Sequence, residues 1–204
     1  MLSRLRAVVG RVFTPIAMFL LRRGVSPDAV TVTGTALVVA AALWLFPTGH
    51  LLAGAVTIAV LALSDLVDGT MARASGRTSP WGAFLDSTLD RLADGAVFSG
   101  ILVYLVRTEN VVGASFALAC LVLGSVVPYA RARAEGLGMT ANVGIAERAD
   151  RLAAVLLAAA LVGMGLPAAV LTVVLGLLAV ASAVTIVQRM ATVHRQAAAG
   201  GGAL

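Results

Sequence analysis

Asp65-Leu66-Val67-Asp68-Gly69-Thr70-Met71-Ala72-Arg73, followed after eight residues by Gly82-Ala83-Phe84-Leu85-Asp86-Ser87-Thr88-Leu89-Asp90, sets four carboxylates on two neighbouring apolar segments. Ionisable groups at membrane depth are costly and mark functional sites. Asp65 and Asp68 are three apart, and Asp86 and Asp90 four apart, so on helices each pair shares a face. Gly69, Ala72 and Gly76 lie around the first pair, and Gly82 sits one turn before Asp86. Each acidic face is otherwise nearly bare, which lets helices approach closely in lipid or leaves room for a large polar ligand. Four close acids repel one another unless cations neutralise them, and hard divalent ions prefer oxygen ligands. Two such ions can stabilise the attacking and leaving oxygens of a phosphoryl-type displacement. Intramembrane aspartates also serve ion-coupled transporters. Arg73 is suited to holding a diphosphate, or to a plain positive-inside anchor.

The rest of the chain is apolar enough to be read as an integral membrane protein. Of its 204 residues 60% are hydrophobic and 12% charged, with a mean hydropathy of +0.99, outside the range of soluble domains. The net charge is +5, and every basic residue is arginine. The single cysteine, Cys120, lies in an apolar run and reads as a small core residue. No histidine–cysteine cluster suggests zinc, no signal peptide is evident, and no nucleic-acid partner is expected.

The expected fold is all-α: a bundle of six transmembrane helices after an amphipathic interfacial helix. Residues 1–24 form the interfacial helix, with arginines alternating with Leu, Val and Phe before Gly24. Residues 25–195 form the membrane domain, beginning at Ser26-Pro27-Asp28, a helix start with cap and first-turn proline. Apolar segments cover about 29–46, 51–74, 80–106, 111–134, 149–165 and 167–190. Residues 196–204 read as a disordered tail. Arg73, Arg77, Arg131, Arg133, Arg148 and Arg151 fall in alternate connections, with Arg189 and Arg195 at the C-terminal end. The positive-inside rule then places both termini and the acidic motif in the cytoplasm.

The pattern Asp-x2-Asp-Gly-x2-Ala-Arg-x8-Gly-x3-Asp-x3-Asp, complete at all eight fixed positions from Asp65 to Asp90, resembles the signature of the CDP-alcohol phosphotransferase family. The resemblance extends to the six-segment layout over nearly the whole chain. It implies transfer of a phosphatidyl group from CDP-diacylglycerol to an alcohol, with release of CMP, in a bacterial plasma membrane. It implies that Asp65, Asp68, Asp86 and Asp90 hold two Mg2+ or Mn2+ ions per subunit and that Asp90 is the general base. Asp65, Gly69, Ala72, Arg73 and Gly82 would line the CDP-diacylglycerol pocket, together with Pro27, Asp28 and Thr31. An ordinary helix-start role is open for Asp28. The family also implies a homodimer.

Asp94 extends the Asp86–Asp90 face by another turn, outside the ligand set, and reads either as a hydrogen-bonding residue of the bundle or as a support of the site. Arg91 points about 100° from Asp90 and reads as half of a structural ion pair. Three helix ends carry Arg131, Arg151 and Arg189, a set of forked donors that suits a phosphate on the acceptor, although the positive-inside rule and neutralisation by Glu135, Glu147 and Asp150 also account for them. The stretches Ala130-Arg131-Ala132-Arg133-Ala134-Glu135-Gly136 and Ala146-Glu147-Arg148-Ala149-Asp150-Arg151 resemble the actinobacterial phosphatidylinositol phosphate synthases within that family. That resemblance implies 1D-myo-inositol 3-phosphate as acceptor, held by Arg131, Arg133, Arg151 and Arg189. Glycerol 3-phosphate would use the same arginines.

Overall fold

The computed structural model describes residues 14–15, 17–62, 71 and 79–200. Asp65, Asp68, Gly69, Ala72 and Arg73 lie outside them, as does most of the expected interfacial helix. A short helical stretch at 17–22 precedes six longer helices: α1 (Pro27–Leu45), α2 (Leu51–Ala62), α3 (Pro80–Arg107), α4 (Val111–Glu135), α5 (Arg148–Gly163) and α6 (Ala169–Gly200). No strand occurs among the described residues.

The helices start where local chemistry allows. Ser26 caps α1 by accepting from the Ala29 N–H, with Pro27 in the first turn; Ser79 caps α3 by accepting from Gly82 N–H, ahead of Pro80. Asn110 caps α4 through the Gly113 N–H and reaches across to the Thr172 hydroxyl on α6 at 2.9 Å. Capping replaces backbone partners that a helix start lacks. Gly49 and Gly165 reverse the chain at φ 84° and 108°, in the left-handed region where glycine carries no side-chain penalty.

The principal packing pairs are α1 with α2 and α3, α3 with α4, α4 with α6, α6 with α5, and α5 with α2. They close a ring in the order α1–α3–α4–α6–α5–α2. Its interior holds Ala42, Phe46, Ile58, Val97, Ile101, Ala117, Val155 and Leu171. A smaller cluster joins Ala17 to Met71, with Leu20, Leu21, Val25 and Val30 against it. Cys120 is buried and its thiol donates to Leu175 O at 3.2 Å. The outer surface is apolar: Trp44, Val60, Leu92, Val122, Leu157, Leu177 and Val180 are all exposed. Such a continuous greasy exterior is that of a protein whose surroundings are lipid.

Six spans were expected; α1, α4 and α6 are the described helices long and apolar enough to cross a membrane. α3 has the length, at 28 residues, but it carries Asp86, Asp90, Arg91 and Asp94. α5 has 16 residues, a length of about 24 Å. The expected continuation of the second segment to 74 falls beyond the described part of α2. The final helix runs through Gly200, beyond the apolar segment expected to end near 190. Gln196 is the reason. Its amide accepts from Thr140 N–H at 2.9 Å and donates back to Thr140 O, so the extra turns bind the connection before α5, while Ala197–Ala199 are strong helix formers.

Alternating helix directions bring the starts of α1, α3 and α5 and the ends of α4 and α6 to one end of the ring. At the opposite end Arg107 donates to Pro47 O at 2.8 Å, tying two turns together. Gly100 lets α3 meet α1, since a Cβ there would stand 2.2 Å from Ala42 O. Gly100→Ala is therefore expected to lower the Tm in detergent by several degrees, an overpacking cost of about 1–3 kcal/mol. Gly95→Ala, where a Cβ would meet nothing closer than 4.0 Å, leaves the Tm unchanged or slightly raised.

Candidate active site

A cavity of about 440 Å³ opens at the polar end of the ring. α3 contributes Ser87, Asp90 and Arg91; α4 contributes Val127, Pro128, Arg131 and Glu135; Glu147, Arg148 and Arg151 stand at the start of α5, and Arg189 on α6. The structure thus brings together Asp90 and three of the four arginines expected to meet the acceptor. Arg133 is exposed and does not line this cavity. Two residues beyond Arg131, it points about 200° around α4.

Each arginine is held differently. Arg151 is buried to 2% exposure; its guanidinium donates to Ala146 O at 3.1 Å and Gly124 O at 3.3 Å. Its Nε is buried with no hydrogen-bond partner among the described residues. Arg189 is also buried and donates to Val143 O at 2.9 Å and to Val127 O. A guanidinium has five N–H groups, so both side chains are anchored by backbone carbonyls and still have donors to offer. Arg131 is half-exposed, pairing with Glu135 at 2.9 Å.

The connection before α5 is tied to α6. Thr185 on α6 accepts from the Ile145 and Ala146 N–H groups, both at 3.2 Å, and its own hydroxyl donates to Ala181 O at 2.9 Å. Gly144 passes close to it at φ 145°, where a Cβ would stand 2.4 Å from Thr185 Cγ2. These contacts fix the backbone that leads into Glu147, Arg148 and Arg151.

Asp90 lies half-buried on α3, with Asp86 one turn earlier on the same face and exposed. Arg148 Nη1 meets Asp90 Oδ1 at 2.9 Å, and Arg148 Nε meets Asp94 Oδ1 at 3.0 Å. Asp94 Oδ2 lies 3.7 Å from Arg151 Nη2. Asp94 thus pairs with both arginines of α5. Arg91 makes no ion pair within 4 Å among the described residues and lines the cavity instead, contrary to its expected structural pairing. The sequence expectation for Arg148 is a place on the basic side of the membrane. The signal was present: Arg148 and Arg151 are three apart, so they share a face, as Asp90 and Asp94 do.

Of the other expected ligands, Pro27, Asp28, Thr31 and Gly82 are described, at the starts of α1 and α3. Pro27 and Thr31 are buried in the first turns of α1, where the Thr31 hydroxyl donates to Pro27 O at 3.1 Å. Asp28 accepts from Trp81 Nε1 at 3.1 Å, which sets the starts of α1 and α3 side by side. Among the described residues, a Cβ on Gly82 would meet only Ser79 Oγ, at 3.5 Å. Two helix N-termini thus lie side by side, and the end of a helix that carries its free N–H groups favours anions. No group of three or more metal-ligating side chains is gathered among the described residues. Asp86 and Asp90 fit half of an oxygen-donor set for a hard divalent ion.

A family model for CDP-alcohol phosphatidyltransferase matches residues 24–187. The chain is 50% identical over 200 residues to the phosphatidylinositol phosphate synthase of Streptomyces avermitilis, covering 95% of this chain and 82% of that one. It is 46% identical over 194 residues to the synthase of the same name from Mycobacterium tuberculosis H37Rv, covering 92% and 88%. A crystal structure of the M. tuberculosis phosphatidylinositol phosphate synthase with CDP-DAG bound superposes with a TM-score of 0.87 at 44% identity, covering 90% of this chain and 94% of that one. Another, in complex with manganese and citrate, gives 0.84 at 44% identity, covering 89% and 88%.

Thr185→Val removes the acceptor of two N–H groups. Hydrogen exchange is expected to accelerate at Ile145 and Ala146, by about 1–3 kcal/mol of lost local protection for the unpaired donors. Exchange in the α1–α3 contact stays unchanged. On its sequence and its fold, the chain is a transferase that belongs to the CDP-alcohol phosphatidyltransferase family.

Proposed function

We propose that this protein transfers the phosphatidyl group of CDP-diacylglycerol to 1D-myo-inositol 3-phosphate, forming phosphatidylinositol phosphate and CMP. The observation that carries this reading is the cavity in which Arg131, Arg151 and Arg189, from three different helices, surround the space beside Asp90. A neutral alcohol needs no such set of forked cations, whereas a phosphate monoester matches them. Inositol rather than glycerol as the alcohol is supported by relatives at 43–50% identity named phosphatidylinositol phosphate synthase.

In this mechanism the acyl chains of the donor stay in the inner leaflet, beside the apolar exterior of the ring. The starts of α1 and α3, with Pro27, Asp28, Thr31 and Gly82, take the nucleotide end together with Gly69, Ala72 and Arg73. Asp65, Asp68, Asp86 and Asp90 hold two divalent ions, Mg2+ or Mn2+, which supply positive charge to the diphosphate when bound. The arginines fix the acceptor phosphate and so orient the ring hydroxyl. Asp90 takes the proton of that hydroxyl as its oxygen bonds to the β-phosphorus. The bond from that phosphorus to the bridging oxygen breaks, and CMP departs with the electron pair. The site and both termini face the cytoplasm across a bacterial plasma membrane, and the working unit is a homodimer.

The direct test supplies the purified protein in lipid with CDP-diacylglycerol, Mg2+ and a panel of alcohols: inositol phosphate, glycerol 3-phosphate, inositol and serine. CMP and the lipid product are measured. Inositol phosphate is expected to give the highest kcat/KM. A preference for glycerol 3-phosphate would assign the other phosphorylated acceptor, and ion flux without CMP release would indicate a transporter. Asp90→Asn is expected to lower kcat by about 10²–10⁴, the range for loss of a general base, while donor binding survives. Arg131→Ala removes the exposed arginine without opening the core. It is expected to raise the acceptor KM about tenfold, in line with the loss of a charged hydrogen bond, and to leave the donor KM unchanged.

A further inference from the structure

Asp90 and Arg148 each border two spaces. One is the arginine-lined cavity; the other is a narrow cleft formed by Gly34, Thr35 and Val38 of α1, Ile58 and Ala62 of α2, and Leu152 of α5. Their ion pair stands between the two. It belongs to a longer row, Asp90–Arg148–Asp94–Arg151, in which two carboxylates four apart on α3 face two guanidiniums three apart on α5. The contacts along it are 2.9, 3.0 and 3.7 Å.

The geometry of Arg148 is specific. Its Nη1 and Nε, two corners of one rigid plane, meet different carboxylates. The separation of Asp90 from Asp94 is thereby set by the guanidinium itself, which a flexible ammonium could not do. Asp94 in turn touches Arg151, which two backbone carbonyls also hold. Asp90 is thus in register with Arg151 through two intervening side chains. A purely structural pairing would be satisfied by Asp94 and Arg151 alone. Arg148 instead also engages the carboxylate that borders the cavity, and both side chains keep contact with it, at 28% and 20% exposure.

We propose that Arg148 is a positioning residue: through Asp94 it holds the Asp90 carboxylate in register with Arg151, so that an acceptor whose phosphate is seated presents its hydroxyl to a carboxylate already in place. Neither Arg148 nor Asp94 belongs to the eight-position motif. The inference rests on the function proposed above, in which Asp90 is the base and Arg151 a phosphate ligand.

The test compares Arg148→Gln, Arg148→Lys, Asp94→Asn and the Arg148→Gln/Asp94→Asn double variant with the wild type. It measures kcat and KM for inositol phosphate, CDP-diacylglycerol binding by calorimetry, and Tm. Arg148→Gln is expected to lower kcat about a hundredfold, the cost of an ångström-scale misplacement, with the acceptor KM and donor binding changed less than threefold. Arg148→Lys recovers only part of that loss, because a point charge cannot span both carboxylates. Asp94→Asn lowers kcat in the same selective way, and the double variant is no slower than Arg148→Gln, as for residues acting in series. The proposal is overturned if kcat is unaffected, if the two losses multiply, or if activity falls only in step with Tm and donor binding. The wild-type acceptor panel separates the two levels. If no phosphorylated alcohol yields CMP, the functional reading fails; if one does but the selective kcat loss is missing, the positioning role alone fails.

Discussion

The row of alternating charges from Asp90 to Arg151 is the constraint on which the polar end of this molecule depends. α3 and α5 are not adjacent in the ring of packed helices, so these side chains span its interior. Taking an ion out of water costs several kcal/mol unless its partners replace the lost hydration. Here each member of the row has a partner on at least one side, and Arg151 adds two backbone carbonyls. Removing one partner would strand the other, a penalty of about 3–5 kcal/mol in buried settings. A membrane protein accepts so expensive an arrangement where chemistry needs charge at a fixed place.

The remaining architecture serves that placement. Apolar packing at Ala42–Gly100 and Leu52–Gly163 brings helix backbones together where a Cβ would collide, and so sets the ring diameter. The long α6 reaches beyond the ring and holds the connection before α5 at three points, through Thr185, Arg189 and Gln196. That connection delivers Glu147, Arg148 and Arg151 to the cavity. Loop and helix end are therefore a single construction, which explains why buried polar groups concentrate on α6: Ser182, Thr185 and Arg189 are all buried there.

Much of this was legible in the chain. Ser26-Pro27 and the proline after Ser79 announce helix starts, and the structure uses them so. The spacing of Asp86, Asp90 and Asp94 shows one helix face. The three arginines at separate helix ends were readable as convergent because alternating helices return to the same side. What was not legible depends on long-range partners. Nothing local to Gln196 says that its amide will grip Thr140, so α6 looked shorter than it is. Thr185, forty residues from Ile145, looked like any polar residue of an apolar helix. Arg133 was assigned with Arg131 although helical periodicity already turns it away. The pairing of Arg148 is hidden in the sequence because membrane orientation already accounts for its charge.

The measurement that bears most directly on this account is a high-resolution density map of the protein in lipid with Mn2+ and inositol phosphate. The account predicts the phosphate between Arg151 and Arg189, at hydrogen-bond distances of about 2.7–2.9 Å, with a ring hydroxyl directed at Asp90. A phosphate bound elsewhere, with the arginine-lined cavity left to water, would contradict it.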